Sequence, residues 1–327
     1  MGSWSWLVAC VALLGMSSAA AAATDRIGAI RARGSLHCGI WPYVPGFAIE
    51  RDGRYAGFDV DICRAVAASI LGDANKVRFV TLSNVTQLAE STDVDLAVRR
   101  LTWTLSREAA SGMVFGPITY YDGQGFLVPR HSGIQSVAQL AGERICVLNM
   151  EHHPKTLYDY FRDTGREIQL VLVESDREAE EAMRRNRCRA YSADISWLAA
   201  ARSVFSEGLT HYEILPDLIS KEPLAPLMRA ADTELVQVVR WTIFALIEAE
   251  ELGLNSHNID LIESSPSRVR AFGPGAGDWV RAIIAGVGNY GEVFDRNLGA
   301  DSSIKLDRGL NRLWTQGGLM YAPPLDR

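Results

Sequence analysis

Short apolar strand patterns alternate with a helix pattern in the first third of the sequence. Strands are predicted at residues 35–40, 77–82 and 96–98, and the helix between the first two begins with Asp59 and Asp61. Apolar side chains in that helix recur on one face. This order of strand, helix and strand is typical of a parallel α/β sheet, which we expect in this part of the chain.

The same alternation recurs after Val128. Its predicted elements are strand 144–148, helix 156–162, strand 168–173, a helix that Ser175 and Glu178 cap and that ends near Arg187, and strand 189–192. The chain has 327 residues, which suits two domains of roughly 100 to 150 residues each. The sequence therefore predicts two α/β lobes.

A long amphipathic helix capped by Asp232 is long enough to pack back on the first lobe. The chain would then cross between the lobes near residues 127–130 and 223–229, and the two crossings would form a hinge. The expected division is lobe one at residues 24–128 plus 227–262, lobe two at residues 129–226, and a C-terminal extension at residues 263–327 that packs on the lobes.

The first 23 residues are uncharged and contain an apolar stretch followed by small residues. This pattern is typical of a secretory signal peptide, so we expect cleavage near Ala23 and export to the periplasm. Because no Lys or Arg precedes the apolar stretch, a retained N-terminal anchor stays open as an alternative, as does lipidation at Cys10. No later segment has the roughly 18 uninterrupted apolar residues of a membrane span.

Four cysteines remain after such cleavage, and an oxidising compartment would pair them. They are Cys38, Cys63, Cys146 and Cys188. Three connectivities are possible, and if the lobes are independent, the one that keeps each bridge within a lobe joins Cys38 to Cys63 and Cys146 to Cys188. Zinc ligation by these cysteines is disfavoured because they show no C-x-x-C spacing.

The charge balance argues against nucleic acid as a partner. The net charge is −6, and no run of Lys and Arg interleaves with aromatic residues, as a surface that tracks phosphates would require. A partner of another class is therefore expected.

Eight segments spread along the chain resemble the family 3 solute-binding proteins, and among them the periplasmic binding proteins of general L-amino-acid ABC importers. The segments are 57–67, 102–107, 120–126, 219–224, 240–242, 288–292, 309–314 and 321–324. The resemblance implies a type II periplasmic binding fold, in which two α/β lobes with central mixed sheets are joined by a two-strand hinge and close on a ligand. It also implies the within-lobe disulfides, a monomer without cofactor, and membrane permease subunits as partners.

The resemblance also assigns ligand-binding residues. Arg107 stands at the position that binds the ligand's α-carboxylate, for which the planar guanidinium is suited because it donates two parallel hydrogen bonds. Asp194 matches the position that takes the α-ammonium. Thr102 is expected to add a hydroxyl contact and Trp41 to wall the pocket, although each of these residues also has a purely structural interpretation.

The sequence departs from the family pattern within the expected cleft. Arg100 stands where the family has a small polar residue, and the lobe-two loop that usually cradles a carboxylate contains Glu151. A fixed anion at a helix N-terminus would repel the carboxylate of an amino acid. We therefore expect a ligand of different charge pattern, an interlobe salt bridge that shuts the cleft, or a shifted loop in which a neighbouring residue substitutes.

No metal site is expected. His152 and His153 are adjacent, so their side chains should point apart, and the sequence offers no evident third ligand. Two other functions stay open beside solute binding: a role in binding a partner protein or as a sensor, and a cyclohexadienyl dehydratase-like enzyme with Glu151 as its general acid or base.

Overall fold

The computed structural model describes residues 25–109, 112–150, 152–259 and 279–324. The predicted signal peptide, Glu151 and residues 263–278 of the expected extension lie outside these ranges. The helices are α1 (Arg26–Arg33), α2 (Phe58–Leu71), α3 (Thr86–Glu90), α4 (Leu105–Ala109), α5 (His153–Asp163), α6 (Asp176–Arg184), α7 (Ile195–Val204), α8 (Gly208–His211), α9 (Thr233–Glu251), α10 (Trp279–Val287) and α11 (Tyr290–Asn297). The strands are β1 (Leu36–Ile40), β2 (Tyr43–Val44), β3 (Ala48–Arg51), β4 (Arg54–Ala56), β5 (Val77–Thr81), β6 (Leu96–Ala97), β7 (Met113–Phe115), β8 (Tyr120–Asp122), β9 (Gln124–Pro129), β10 (Arg144–Leu148), β11 (Gln169–Val173), β12 (Ala190–Asp194), β13 (Tyr212–Ile214), β14 (Glu222–Leu224) and β15 (Leu227–Arg229).

The first lobe is built on a five-stranded sheet of order β5-β1-β6-β15-β7. Strand β1 pairs in parallel with β5 and β6, and β15 runs antiparallel to its neighbours. All five residues of β1 are buried, as expected for a central strand that is covered on both faces. Helix α2 lies against this sheet with eleven of its fourteen residues buried, so it forms the centre of the lobe-one core.

The second lobe has a sheet of order β11-β10-β12-β9-β13. Strand β10 is parallel to β11 and β12, whereas β9 is antiparallel to β12 and β13. Two mixed sheets flanked by helices confirm the predicted fold class. Helix α5 begins at His153, three residues before the predicted start, because Pro154 is well tolerated in the first turn of a helix.

Both predicted disulfides are present, one in each lobe. Cys38 of β1 is bonded to Cys63 of α2 across a Cα–Cα distance of 6.1 Å. Cys146 of β10 is bonded to Cys188, just before β12, across 5.5 Å. Each bridge therefore fastens the central strand of a sheet to its own lobe.

The hinge is a two-stranded antiparallel sheet formed by β8 and β14. The chain passes from β8 into β9, and most of residues 127–130, where a crossing was predicted, lie in β9. The apolar side chains of β9 are buried in the second sheet. The second crossing, between β14 and β15, lies within the predicted segment. Gly123 permits the close approach of the Ser220 backbone, since an added Cβ would lie 2.6 Å from the Ser220 carbonyl oxygen.

The described part of the C-terminal extension contacts both lobes and the hinge. Helix α10 packs on α2 and α9 within the lobe-one core. Arg202 of α7 donates to the carbonyl oxygens of Ile304 and Lys305. Asn311 pairs with the backbone of Tyr121 in β8 through two hydrogen bonds, of 2.7 and 3.1 Å. The tail is thus hydrogen-bonded to one of the two hinge strands.

Helix α9 follows β15 of the first sheet, with Asp232 at its N-cap as predicted. The Asp232 carboxylate makes no capping hydrogen bond and instead forms ion pairs with Arg26 and Arg229. Within the described ranges of the chain, we find no helix with the combined length and apolar character that a membrane crossing needs.

Candidate functional site

Polar side chains from both sheets meet beside the hinge. In open α/β sheets, ligands bind outside the carboxyl ends of the strands. Arg99 and Arg100 follow β6 of the first sheet within three residues, and Asp194 ends β12 of the second. Asp122 ends the hinge strand β8. These strand ends face one cleft between the two sheets, and this cleft is the candidate binding site.

Arg100 is the residue that joins the two sides of this cleft. Its Nη2 donates to Ser196 Oγ of α7 at 2.5 Å and lies 3.6 Å from Asp122 Oδ2 and 4.0 Å from Asp194 Oδ2. Its side chain is only 12% exposed. Arg100 thus lies within ion-pair distance of Asp194 across the cleft.

Two aromatic rings hold the Arg100 guanidinium between the lobes. Its Cζ lies 5.0 Å from the ring centroid of Phe47 in lobe one and 5.6 Å from that of Trp197 in lobe two. Such cation–π contacts strengthen when the cation is desolvated. The Arg100 backbone has φ of +55°, a left-handed conformation that side chains other than glycine rarely adopt and that clusters at functional sites.

Asp122 anchors the start of α7 from the hinge. Its Oδ1 accepts from the Ser196 backbone N–H at 3.1 Å, and its Oδ2 accepts from the Ser196 hydroxyl. Burial and the nearby charge of Asp194 raise the pKa of Asp122 to about 6, against the opposing charge of Arg100. A carboxylate at the helix N-terminus is also favoured by the helix dipole.

Asp194 is the N-cap residue of α7, yet its side chain makes no capping hydrogen bond. Its Oδ1 instead lies 3.1 Å from Nε2 of His153, which is buried. Burial opposes the charged form of Asp194, but the hydrogen bond with His153 and the charges of His153 and Arg100 hold its pKa below the usual range. The Asp194 carboxylate is thus ionised and available to a cation in the cleft.

On the lobe-one side, Asp59 of α2 lies buried near the charges of Arg99 and Arg100. Burial raises the pKa of Asp59 to about 7, although the charges of Arg100 and Arg99 and the Arg100 backbone N–H oppose this shift. Arg99 lies over the Trp41 ring, with Cζ 5.4 Å from its centroid. Trp41 therefore contacts the guanidinium of Arg99.

Arg107 and Thr102 lie together at the edge of the cleft. Arg107 is exposed on α4, and its Nη1 donates to the Thr102 carbonyl oxygen at 2.7 Å. Thr102 also pairs with Leu224 of the hinge strand β14. Burial lowers the pKa of Arg99, and the charge of Arg107 lowers it further against the opposing charge of Asp59.

The rings of His152 and His153 lie together rather than pointing apart as expected. Their ring centroids lie 4.4 Å apart, and Asp194 provides the third group that the sequence did not reveal. The assumption that the rings point apart is wrong because His152 takes helical backbone angles ahead of His153, the first residue of α5. Glu151 lies outside the described residues, so its expected role has no structural counterpart here.

Among the residues of the site, sequence reasoning missed Asp59, Asp122, Ser196 and Trp197. Asp122 lies in the family-like segment 120–126 directly before a glycine, a position from which a hinge carboxylate could have been suspected. Ser196 and Trp197 follow Asp194 by two and three residues. Their contacts with Arg100 depend on the approach of two lobes, which no local pattern encodes.

The amino-acid sequence is similar to those of known binding proteins. Residues 36–256 match the family described as bacterial extracellular solute-binding proteins, family 3. A general L-amino acid-binding periplasmic protein from Rhizobium johnstonii is 38% identical over 330 residues, which covers 96% of each chain. A glutamate/glutamine/aspartate/asparagine-binding protein from Rhodobacter capsulatus is 40% identical over 321 residues, covering 94% of this chain and 95% of the relative.

A solved structure is similar over most of the chain. It is an ABC transporter periplasmic binding protein from Brucella ovis with glutathione bound. It is 39% identical in sequence, superposes with a TM-score of 0.79, and covers 93% of this chain and 100% of its own.

Proposed function

The chain belongs to the bacterial extracellular solute-binding proteins of family 3, and on that basis we propose that it captures an amino acid or a related small polar solute in the periplasm and delivers it to an ABC importer. The supporting observation is the meeting of arginine and carboxylate groups from both lobes beside a two-stranded hinge. A zwitterionic solute needs such opposite charges in a site that closure shields from water.

Asp194 is the proposed anchor for the solute's ammonium group. Its carboxylate is ionised but already lies within 4.0 Å of Arg100 and 3.1 Å of His153. A solute cation must therefore replace the Arg100 guanidinium or share Asp194 with it. This competition supports a ligand specificity altered from that of the relatives.

Arg107 is the proposed partner of the solute's carboxylate. Its guanidinium is exposed on α4, and Nη1 donates to the Thr102 carbonyl oxygen, which holds it at the edge of the cleft. Arg100 would position the closed lobes, with Thr102 as a polar contact and Trp41 as an apolar wall. Glu151 remains proposed as the negative charge of the lobe-two loop.

We propose the hinge as the boundary between the lobes, with the first crossing moved to precede β9. Lobe one would then comprise residues 24–122 plus 227–262, and lobe two residues 124–221, while residues 263–327 form the extension. The protein would act as a monomer and dock on membrane permease subunits of the importer. Gel filtration with light scattering of the purified protein tests the monomer.

The contacts of Arg100 across the cleft favour one second candidate function. A protein whose lobes are joined by its own side chain could present the closed shape to a partner protein or a sensor. An enzymatic role has less support, because the relatives named above are binding proteins.

Thermal unfolding against a panel of solutes tests the proposal. The panel contains single L-amino acids, dipeptides, polyamines and glutathione, the last because the Brucella ovis relative holds it. A bound solute raises the unfolding midpoint by mass action. A rise with a solute that carries an ammonium group supports the proposal, whereas no rise with any member favours the partner-binding role.

A further inference from the structure

His152, His153 and Asp194 converge at one edge of the lobe-two sheet. Strands β10 and β12 are parallel neighbours, with Val147 opposite Ser192, so their carboxyl ends emerge side by side. The chain after β10 turns into the N-terminus of α5, which carries both histidines, and β12 ends with Asp194. The topology therefore explains why residues distant in sequence share this corner.

The three side chains are spaced like a set of metal ligands. One ligand atom from each lies within 4.8 Å of the other two, and His153 Nε2 is already 3.1 Å from Asp194 Oδ1. On a tetrahedral ion with bonds of about 2.0 to 2.2 Å, ligand atoms lie roughly 3.4 Å apart. Small side-chain rotations would bring the third atom to that distance.

Two imidazole nitrogens in this corner lack partners. Nε2 of His152 and Nδ1 of His153 are buried and have no hydrogen-bond partner among the described residues. Buried polar atoms are nearly always paired with protein, water or an ion. A cation bound between His153 Nε2 and Asp194 would give His152 Nε2 its missing partner, although it would not reach Nδ1 on the other side of the His153 ring.

The surrounding charges restrict which cation can bind. The N-terminus of α5 and the guanidinium of Arg100 both oppose a positive ion, whereas Asp122 adds a second carboxylate near Asp194. Hard cations such as Mg²⁺ and Ca²⁺ prefer cages of oxygen ligands. Imidazole nitrogens instead suit zinc, copper, nickel and iron, so their direct bonds would have to outweigh the repulsion.

We propose that His152, His153 and Asp194 form a binding site for one divalent transition-metal ion of the zinc class in the lobe-two wall of the cleft. Three protein ligands leave a fourth position for water or for a donor atom of the solute. The site stands on the geometry of these three side chains and does not depend on the identity of the solute.

Isothermal titration with Zn²⁺ alone tests the site on the chelator-treated protein, purified without a histidine tag. We expect one ion per chain, no comparable binding of Mg²⁺, and affinity at least tenfold weaker in His152→Ala. Asp194→Asn should weaken binding similarly. With Co²⁺ as the probe, the wild type should show visible absorption of a low-symmetry site that His152→Ala lacks.

His131→Ala is the matched control, because His131 and His211 form another close imidazole pair, with ring centroids 5.2 Å apart on the surface. This variant should bind Zn²⁺ like the wild type. Three outcomes would overturn the proposal: no Zn²⁺ binding, unchanged affinity in folded His152→Ala, or an equal loss in His131→Ala, which would place the ion on the surface. Circular dichroism of each variant verifies its folding.

Discussion

The Nη2 atom of Arg100 in the first lobe donates to Ser196 Oγ in the second at 2.5 Å. The same guanidinium lies between the rings of Phe47 and Trp197, one from each lobe. A single side chain thus makes polar and aromatic contacts across the cleft. Its strained backbone suggests that this placement serves function, since strain persists where surrounding contacts hold it.

Arg100→Ala should open the cleft of the protein without added solute. Removal of the guanidinium leaves Asp122 and Asp194 without their nearby cation, and opening lets water solvate both carboxylates. Small-angle X-ray scattering should show a larger radius of gyration for this variant. Arg99→Ala is the control, because Arg99 contacts Ser83 and Trp41 of its own lobe. Identical radii for Arg100→Ala and wild type would contradict this role.

Asp59→Asn should change how stability depends on pH. Burial raises the pKa of Asp59 from 3.8 to about 7, so between these values the folded protein holds a proton that the unfolded chain has lost. The free energy of unfolding contributed by this group therefore falls as pH rises from about 4 to about 7.

Asp59→Asn has no carboxyl group to titrate, so its free energy of unfolding should not fall in this way. Urea unfolding should therefore show the variant gaining stability relative to wild type between pH 5 and pH 8. Each unit of the pKa shift corresponds to about 1.4 kcal/mol in the free energy of unfolding. Asp163→Asn, at a side chain that is 67% exposed, should track the wild type. Parallel curves for Asp59→Asn and wild type would show that Asp59 is ionised like an ordinary aspartate.

Loss of the lobe-two disulfide should destabilise that lobe. Cys146 and Cys188 are 42 residues apart, and closing a loop of that length lowers the entropy of the unfolded chain by an amount worth about 4 kcal/mol. The double change Cys146→Ser with Cys188→Ser should lower the urea midpoint accordingly. An unchanged midpoint would mean that the bridge adds nothing to stability under those conditions.

Asn311→Ala should weaken the attachment of the tail to the hinge. The Asn311 side chain is buried and pairs with both the N–H and the carbonyl oxygen of Tyr121. Its removal leaves two backbone groups unpaired, at a cost of about 1 to 3 kcal/mol each unless water reaches them. Thermal unfolding should show a lower midpoint, whereas Leu319→Ala, at a side chain 48% exposed, should change it little.

The fold was largely predictable because its signals are local. Strand 144–148 and the cap by Ser175 follow from hydrophobic pattern and side-chain chemistry, and both agree with the structure. The predicted first crossing overlaps β9 because the local pattern gave no reason to assign residues 127–129 to the sheet of the second lobe rather than to the hinge.

The content of the cleft was less predictable, for a physical reason. The likeness to a family pointed to Asp194, and the departure at Arg100 pointed to an interlobe contact, but the partners Ser196 and Trp197 depend on how two lobes meet. The convergence of His152 and His153 depends on the local turn before α5. Such relationships arise from tertiary geometry rather than from sequence spacing.

The central claim, that the cleft binds a small solute through Asp194, is tested most directly by isothermal titration of the solute giving the largest thermal shift. We predict one site per chain, at least tenfold weaker binding in Asp194→Asn, and unchanged binding in Asp163→Asn. If no solute of the panel binds, or if folded Asp194→Asn binds as tightly as wild type, the claim is contradicted.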